Sequence, residues 1–446
     1  MGDHTPRSRR RTFLKSVGVA GIAGLAGCSG GDGGDGGGDG GDGGDGGTDG
    51  GSDGGSDGGS DGGSGTTTGS AGSGEDIVIG NAAPTSGPFT PWGQTHLRGL
   101  EFAVNEINNE GGVLGGRELS VVTQDTEANP QTATTVFQRL VNNENAAAVT
   151  GPVSSDVGIA CRDVAEDTEV PLLPNQAATA NLLTKDTRYV FRVGGSATPT
   201  YVLGERGTIE EEGYTEYAAI YADYAFGQSY IEAVERFIVP MEGVNTNIQS
   251  APPTVDDVQT YLRQVPENVE FLDIGGHPIE LFTFIQQADQ LGLDPEIITG
   301  PNIPTSVMSN ALGDLLFDGP ALYSTVNPEQ DDYQEVAGRF AEEEESVFEQ
   351  YHAYGYVTAK LLAAAIENAG SAEPTAIRDA LADIEYDSIL AYPQISYTEW
   401  GELEQAKVYG LTFSEEAPAY YSDGSYSVVP FYESEVYDPV DPDEWG

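Results

Sequence analysis

An α/β fold built from two doubly wound parallel sheets is what the residues after about position 75 predict. Three observations carry this reading. Short apolar runs alternate with apolar residues at helical spacing; the alternation starts twice, at Ile77 and again near Tyr217; and a Gly-rich break, Val193-Gly194-Gly195-Ser196, separates the two series and reads as a hinge. Repeated strand-helix units imply parallel sheets with helices on both faces.

Taken in order, Ile77-Val78-Ile79 reads as a short buried strand. Leu97, Leu100, Val104 and Ile107 then recur at helical spacing until Gly111-Gly112 stops the helix. Residues 119–122 form the next strand, and Ala133, Val136, Phe137 and Leu140 the next helical stripe. A strand at 146–149, a helix through Cys161 and a strand at 170–173 extend the series. The second series comprises a strand at 217–221, a helix over about 228–237, a strand at 269–274, a helix over 279–291 and a strand at 296–298. After Asp318-Gly319 the chain is expected to return to the first sheet with an Ala-rich helix over 356–368. The Tyr- and Gly-rich tail reads as hairpin-like strands.

The first thirty residues differ in character. Arg10-Arg11-Thr12-Phe13-Leu14-Lys15 precedes an apolar stretch over 17–25, and Leu25-Ala26-Gly27-Cys28-Ser29 follows. A positive segment, a short apolar core and small residues make an export signal, whereas a membrane span needs ~20 apolar residues. The twin arginine looks like a Tat signal, which exports folded proteins. Leu-Ala-Gly-Cys resembles a lipobox, so Cys28 is expected to carry lipid as the first residue of the mature protein. Residues 29–74 repeat Gly-Gly-Asp and Gly-Gly-Ser with almost no apolar side chain. With maximal backbone entropy to lose and nothing to bury, this reads as a disordered linker. The repeats lack the large apolar residue that a calcium-binding β-roll requires.

The chain carries 72 acidic and 19 basic residues, a formal charge of −53, and its lysines are Lys15, Lys185, Lys360 and Lys407. Self-repulsion of that size loses its force when molar salt shortens the Debye length to ~3 Å, so the composition reads as halophilic. It excludes nucleic acid and anionic lipid surfaces as ligands, because both would be repelled. Besides Cys28 there is Cys161, so no disulfide forms within the folded body; Cys161, inside a helix, reads as a small buried hydrophobe. His4, His96, His277 and His352 are scattered, with no His-Glu-x-x-His pair, no Gly-x-Ser-x-Gly elbow and no phosphate loop. No catalytic residue, metal or cofactor is expected, and the chain does not read as an enzyme.

In open α/β sheets, ligands bind beyond the carboxyl ends of strands. Thr150-Gly151-Pro152-Val153-Ser154-Ser155-Asp156 follows one strand and opens a helix, where free N–H groups and a hydroxyl suit a carboxylate. A serine there also suits an ordinary N-cap. Pro174-Asn175-Gln176-Ala177-Ala178-Thr179 follows the next strand and offers a hydroxyl and carbonyls to an ammonium, or serves as a plain loop.

Several motifs, in order and spacing, resemble a known family. Pro84-Thr85-Ser86-Gly87-Pro88, Trp92-Gly93, the run from Ala103-Val104-Asn105-Glu106 to Gly111-Gly112, Gly151-Pro152-Val153-Ser154-Ser155, Asp223-Tyr224-Ala225-Phe226-Gly227 and Gly355-Tyr356 look like the leucine/isoleucine/valine-binding proteins of ABC importers, over about 76–412. With its N-terminus, the chain is similar to a haloarchaeal Tat lipoprotein of that family. The resemblance implies a type I periplasmic-binding fold, with two lobes joined by three crossovers and closing on a small ligand. It divides the chain into a signal peptide (1–28), linker (29–74), lobe 1 (75–195), lobe 2 (196–322), a return to lobe 1 (323–385), and completion of lobe 2 with the tail (386–446).

The resemblance also implies site residues. Ser155, with Ser154 beside it, and the backbone of Ala177 match positions that hold a ligand's carboxylate and ammonium, with Thr179 adjacent. Trp92, Phe226 and Tyr356 match aromatic positions lining the cleft. Asn302 stands where leucine-binding members have a carboxylate, and His277 where they have an aromatic. A neutral amide holds an ammonium less strongly than a carboxylate does. Asp223 is therefore a second candidate for the charge. The ligand stays open between a branched-chain or other small amino acid and a short amide, urea or small carboxylate. The expected setting is a lipid-anchored monomer at the extracellular face of the membrane, passing its ligand to an ABC permease; a sensory module of the same fold is the alternative.

Overall fold

The computed structural model describes residues 75–445 apart from Asp256, residues 277–279 and Pro301. The export signal, Cys28, the linker and His277 lie outside the described residues. Within them, β1 (Ile77–Ala83), β2 (Leu119–Asp125), β3 (Ala148–Thr150) and β4 (Leu172–Leu173) form a parallel sheet in the order β2-β1-β3-β4. β1 is buried along almost its whole length. That is why it reads as an apolar run and not as an alternation. Helices α1 (Thr90–Asn109), α2 (Pro130–Glu144) and α3 (Ser155–Thr168) connect these strands. Asn129 caps α2 by accepting from the Thr132 N–H, and Asn145 ends it in the left-handed conformation. Cys161 is buried in α3, and burial pushes its thiol up to about 12, which leaves it an unreactive core residue.

α4 (Thr198–Glu212) leads into the second sheet, where β5 (Glu216–Ala222), β6 (Asn245–Ala251), β7 (Phe271–Gly275) and β8 (Ile297–Thr299) are parallel in the order β6-β5-β7-β8. α5 (Ala225–Phe237), a single helical turn at Gln259–Leu262, α6 (Glu280–Leu291) and α7 (Thr305–Leu312) accompany them. A parallel bridge between Ile298 and Pro320 carries this sheet into β9 (Ala321–Ser324), which pairs antiparallel with β10 (Tyr409–Ser414) and through it with β11 (Ser427–Glu433). The tail therefore forms the hairpin expected of it.

Between β9 and β10 run α8 (Asp331–Glu344), α9 (Gln350–Ala369) and α10 (Pro374–Ala382). α9 starts six residues before the expected 356 because Glu349 and His352 form a reciprocal capping box at its N-terminus. It packs along α1 on the first sheet. Backbones nearly touch at the crossing: a Cβ on Gly99 would lie 2.0 Å from the His352 carbonyl oxygen, and one on Gly355 would lie 2.1 Å from that of His96. His96 and His352 are both buried there, and burial lowers the pKa of each, so both are neutral core residues.

The chain crosses between the sheets three times, near Gly194, Thr325 and Ala391, and the crossings lie side by side. Thr325 Oγ1 donates to the Gly194 carbonyl (2.7 Å), the Tyr392 hydroxyl donates to the same carbonyl (2.8 Å), and the Ala391 N–H donates to the Thr325 carbonyl (2.7 Å). Gly194 admits no side chain, since a Cβ would sit 2.4 Å from the Tyr354 ring. The architecture is thus two doubly wound lobes joined by three stitched crossovers.

Candidate functional site

The loops that follow the strands of the first lobe meet those of the second. Trp92, in the first turn of α1, is buried and donates from its Nε1–H to the Asn302 carbonyl (2.6 Å), in the loop after β8. The Tyr351 hydroxyl, from the first turn of α9, donates to the same carbonyl. Asn302 turns its own amide to the Tyr323 carbonyl. Asn175 Nδ2 donates to the Trp92 carbonyl (3.3 Å), which links this group to the loop after β4.

That loop is held from both sides. Ser154 occupies the N-cap of α3 but its side chain makes no capping bond, so the ordinary capping role is not what it performs. Ser155 Oγ, one residue on and 2 % exposed, accepts from the Thr179 N–H (3.3 Å). Ala177 is strained at φ +22°, and its N–H donates to the Val153 carbonyl (2.9 Å). Thr179 Oγ1 accepts from the Asn181 N–H (3.3 Å), closing a short helical turn. Across the cleft, the Ala180 N–H donates to Ser229 Oγ of α5 (3.0 Å).

One residue outside the expected set organises this loop. Arg192 is 1 % exposed; its two terminal nitrogens donate to the carbonyls of Ala177 (3.0 Å) and Thr179 (3.2 Å), and its Nε pairs with the Glu402 carboxylate at 2.9 Å. A buried guanidinium so engaged fixes the direction of both carbonyls. Glu402 lies beyond the third crossover, so the loop is tied to the C-terminal part of the chain.

On the facing lobe, Phe226 opens α5, buried between Tyr224 and Tyr230 with ring centroids 6.1 and 5.1 Å away. Gly276 closes against this group, since a Cβ there would lie 3.4 Å from Phe226 and 2.9 Å from Tyr224. Asp223 precedes α5 but is exposed, and its carboxylate accepts from Gln228 Nε2 (2.9 Å).

The structure therefore brings together Trp92, Asn302, Ser154, Ser155, Ala177 and Thr179, with Phe226 on the facing wall and Asp223 at its edge. It does not bring Tyr356 to them. That hydroxyl donates to Glu106 (2.9 Å) and accepts from Arg339 (3.3 Å), and the ring packs on Phe102, among α1, α8 and α9. The correction is one of helical phase: five residues separate Tyr356 from Tyr351, a rotation of about 140°, and Tyr351 is the aromatic that faces Asn302. Tyr351 and Arg192 escaped the sequence reading, and Asn175 was read only as part of its loop. Arg192 had a signal, a lone cation within the apolar run Tyr189-Val190-Phe191-Arg192-Val193. Among the described residues no group of His, Cys, Asp or Glu is placed to hold a metal ion, and no helix is long and apolar enough to cross a membrane.

Comparison with known proteins agrees with this fold. The chain is similar to Leu/Ile/Val-binding protein homolog 7 of Brucella abortus, 25 % identical over 372 residues that cover 78 % of this chain and 91 % of the relative. Its fold is similar to that of a leucine binding protein from Thermotoga maritima (TM-score 0.68, 19 % identity, 82 % and 99 % of the two chains). It is equally similar to that of a fatty acid ABC transporter substrate-binding protein from Thermomonospora curvata (TM-score 0.69, 18 % identity, 82 % and 96 %). A family model described as periplasmic binding protein matches residues 76–411, which take in both four-stranded parallel sheets, all three crossovers and every loop of the site, so the chain belongs to that family.

Proposed function

We propose that the chain is an extracellular, lipid-anchored solute-binding protein that captures a small solute between its lobes and delivers it to an ABC importer. A branched-chain or other small amino acid is the first candidate. The observation that carries this reading is the Trp92–Asn302 bond between the lobes, adjoining a first-lobe loop whose carbonyls Arg192 holds in place. A ligand seated there would contact both lobes and so bind the closed form better than the open one, which is what drives closure. The Leu/Ile/Val-binding name of the Brucella relative supports the amino-acid assignment. Export by Tat, lipidation of Cys28 and adaptation to high salt complete the proposal, on the sequence signals alone.

One observation favours a second reading, a short amide, urea or small carboxylate. Asn302 replaces an expected carboxylate, and its amide nitrogen is committed to the Tyr323 carbonyl; Asp223 is exposed and engaged by Gln228. Neither offers a free buried charge to an α-ammonium. The fatty acid named for the Thermomonospora protein is consistent with a site of this fold accepting a ligand without an ammonium.

Thermal unfolding in high salt, with leucine, isoleucine, valine, acetamide, urea and short carboxylic acids added singly, tests both. A bound ligand at a hundredfold excess over Kd stabilises by ~2.7 kcal/mol. Absence of a titratable rise with all of these compounds would overturn the proposal. Mass spectrometry of the mature N-terminus tests the anchor, with a lipid adduct on Cys28 as the expected result.

A further inference from the structure

A cavity of about 270 Å³ lies between the segment running from Val326 to Gln350 and the β10–β11 hairpin, with Thr305 of α7 at one side. None of the residues gathered in the cleft lines it. Its interior is mainly apolar and aromatic, with Leu322, Val326, Phe348 and Leu411 buried, but the buried polar side chains of Thr305, Glu349 and Gln350 line it too, and both amide atoms of Gln350 lack a hydrogen-bond partner among the described residues. Tyr333 and Tyr420 flank Phe348, and both hydroxyls donate to its carbonyl, at 3.1 and 2.9 Å, so the two rings stand in fixed positions.

The charges around this interior are all of one sign. Among the described residues, Glu329, Glu349 and Glu416 line it, and no Lys, Arg or His does. Glu349 is buried and already engaged: its carboxylate accepts from the N–H and hydroxyl of Thr305 and from the hydroxyl of Ser306. Glu329 and Glu416 are both exposed, one on the loop before α8 and the other on the hairpin loop. The apolar interior thus opens past two carboxylates that have no cation in the lining to answer them.

We propose that this cavity is a second ligand site, for a small organic cation: an ammonium group held by Glu329 and Glu416, carried on an apolar body that enters against Phe348, Tyr420 and Leu411. An anion of the same shape is repelled by three carboxylates, and a neutral molecule gains only the apolar contact. The aromatic walls favour a cation further through their ring faces. Because one wall packs on α1 of the first lobe and the other belongs to the second sheet, an occupant bridges the lobes at a point separate from the cleft.

Titration calorimetry on the full chain tests this with phenethylammonium chloride and, as the matched anion, 3-phenylpropionate. Two surface charge pairs amount to roughly tenfold in affinity where salt does not screen them, so the titrations are run at the lowest ionic strength at which the chain stays folded. The expected result is saturable binding of phenethylammonium, about tenfold or more tighter than the anion, reduced in Glu329→Gln/Glu416→Gln and abolished in Val428→Trp, which fills the cavity from the half-buried face of β11. Circular dichroism melts of the variants establish that they are folded. Trp92→Ala and Ser155→Ala, which alter the cleft, leave phenethylammonium binding unchanged. Equal affinity for the two probes, no binding of either, full binding by Val428→Trp, or loss in Trp92→Ala would each overturn the proposal. Failure of the amino-acid assignment would not, since no arm uses the cleft ligand.

Discussion

Glu402→Ala is the substitution whose consequence the structure specifies most fully. Glu402 is the anionic partner of a guanidinium that is 1 % exposed, and its own side chain is 12 % exposed. Removing it leaves Arg192 charged, buried and paired only with the two neutral carbonyls of Ala177 and Thr179. Breaking a buried pair from one side costs about 3–5 kcal/mol, because the remaining charge stays desolvated. With a urea m-value of roughly 3 kcal/mol/M, that loss moves the unfolding midpoint down by about 1 M. Replacing both partners by Met removes the stranded charge and restores most of the stability, yet it leaves the two carbonyls without their donor. The double variant therefore separates the roles: folding recovers while ligand affinity does not. Circular dichroism in urea and titration of the stabilising solute read the two quantities. A loss under about 1 kcal/mol in Glu402→Ala, the level of an exposed pair, together with unchanged affinity in the double variant, would refute this account.

Trp92→Phe keeps the ring and removes the Nε1–H bond to Asn302; one net hydrogen bond of about 1 kcal/mol predicts a roughly fivefold weaker affinity for the solute found by thermal unfolding, with the midpoint in the absence of solute little changed. Gly99→Ala places a Cβ 2.0 Å from the His352 carbonyl oxygen and forces α1 and α9 apart; the overpacking penalty of about 1–3 kcal/mol or more should outweigh the ~1 kcal/mol that Ala gains over Gly in a helix, and a neutral or stabilised variant would show that the helices are not in backbone contact. Glu205 and Asp273 are buried together with Tyr217 and Tyr221; burial raises both carboxyl pKa values, and the charge of Asp273 raises that of Glu205 further. Raised folded-state values mean that stability is fully present below the ordinary carboxylate range, near pH 4, and is lost as pH rises through the folded-state pKa. Asp273→Asn should therefore gain on the parent protein by more than about 1.4 kcal/mol, the value of one pKa unit, between about pH 4.5 and about pH 7.5 in urea unfolding; parallel pH profiles would contradict it.

How much of this was legible depended on whether a local pattern survived burial. The first lobe was readable because its strands are short apolar runs bounded by stops, and the helices between them keep one polar face. α4 was not, since most of it up to Ile209 is buried: Thr198, Tyr201, Glu205, Thr208 and Ile209 point to different neighbours and leave no stripe. β6, with the sequence Asn245 to Ala251, is polar because it is the edge strand, and it went unread for that reason. The loops that carry candidate positions such as Ser155 and Thr179 could be located from the fold rule, while the choice of residues within them rested on the family resemblance. Tyr351 could not, because choosing among Tyr351, Tyr354 and Tyr356 needs the helical phase of α9, which its apolar surroundings on nearly every side conceal. The lone cation at Arg192 was visible in the sequence, but its role required knowing that Glu402, 210 residues later in the chain, arrives beside it.

The chain has three tryptophans, Trp92, Trp400 and Trp445. Lys185 lies 3.6 Å over the ring of Trp400, and Arg236 lies 5.7 Å from that of Trp445, so each of these indoles has a cation at its face. Trp92 alone among them donates its N–H across the cleft. Opening the lobes would exchange that carbonyl for water and shift the emission of one indole out of three. On the proposed function, Trp92 is a built-in optical gauge of lobe closure, and Trp400→Phe with Trp445→Phe would isolate its signal for a stopped-flow measurement of how fast the lobes shut.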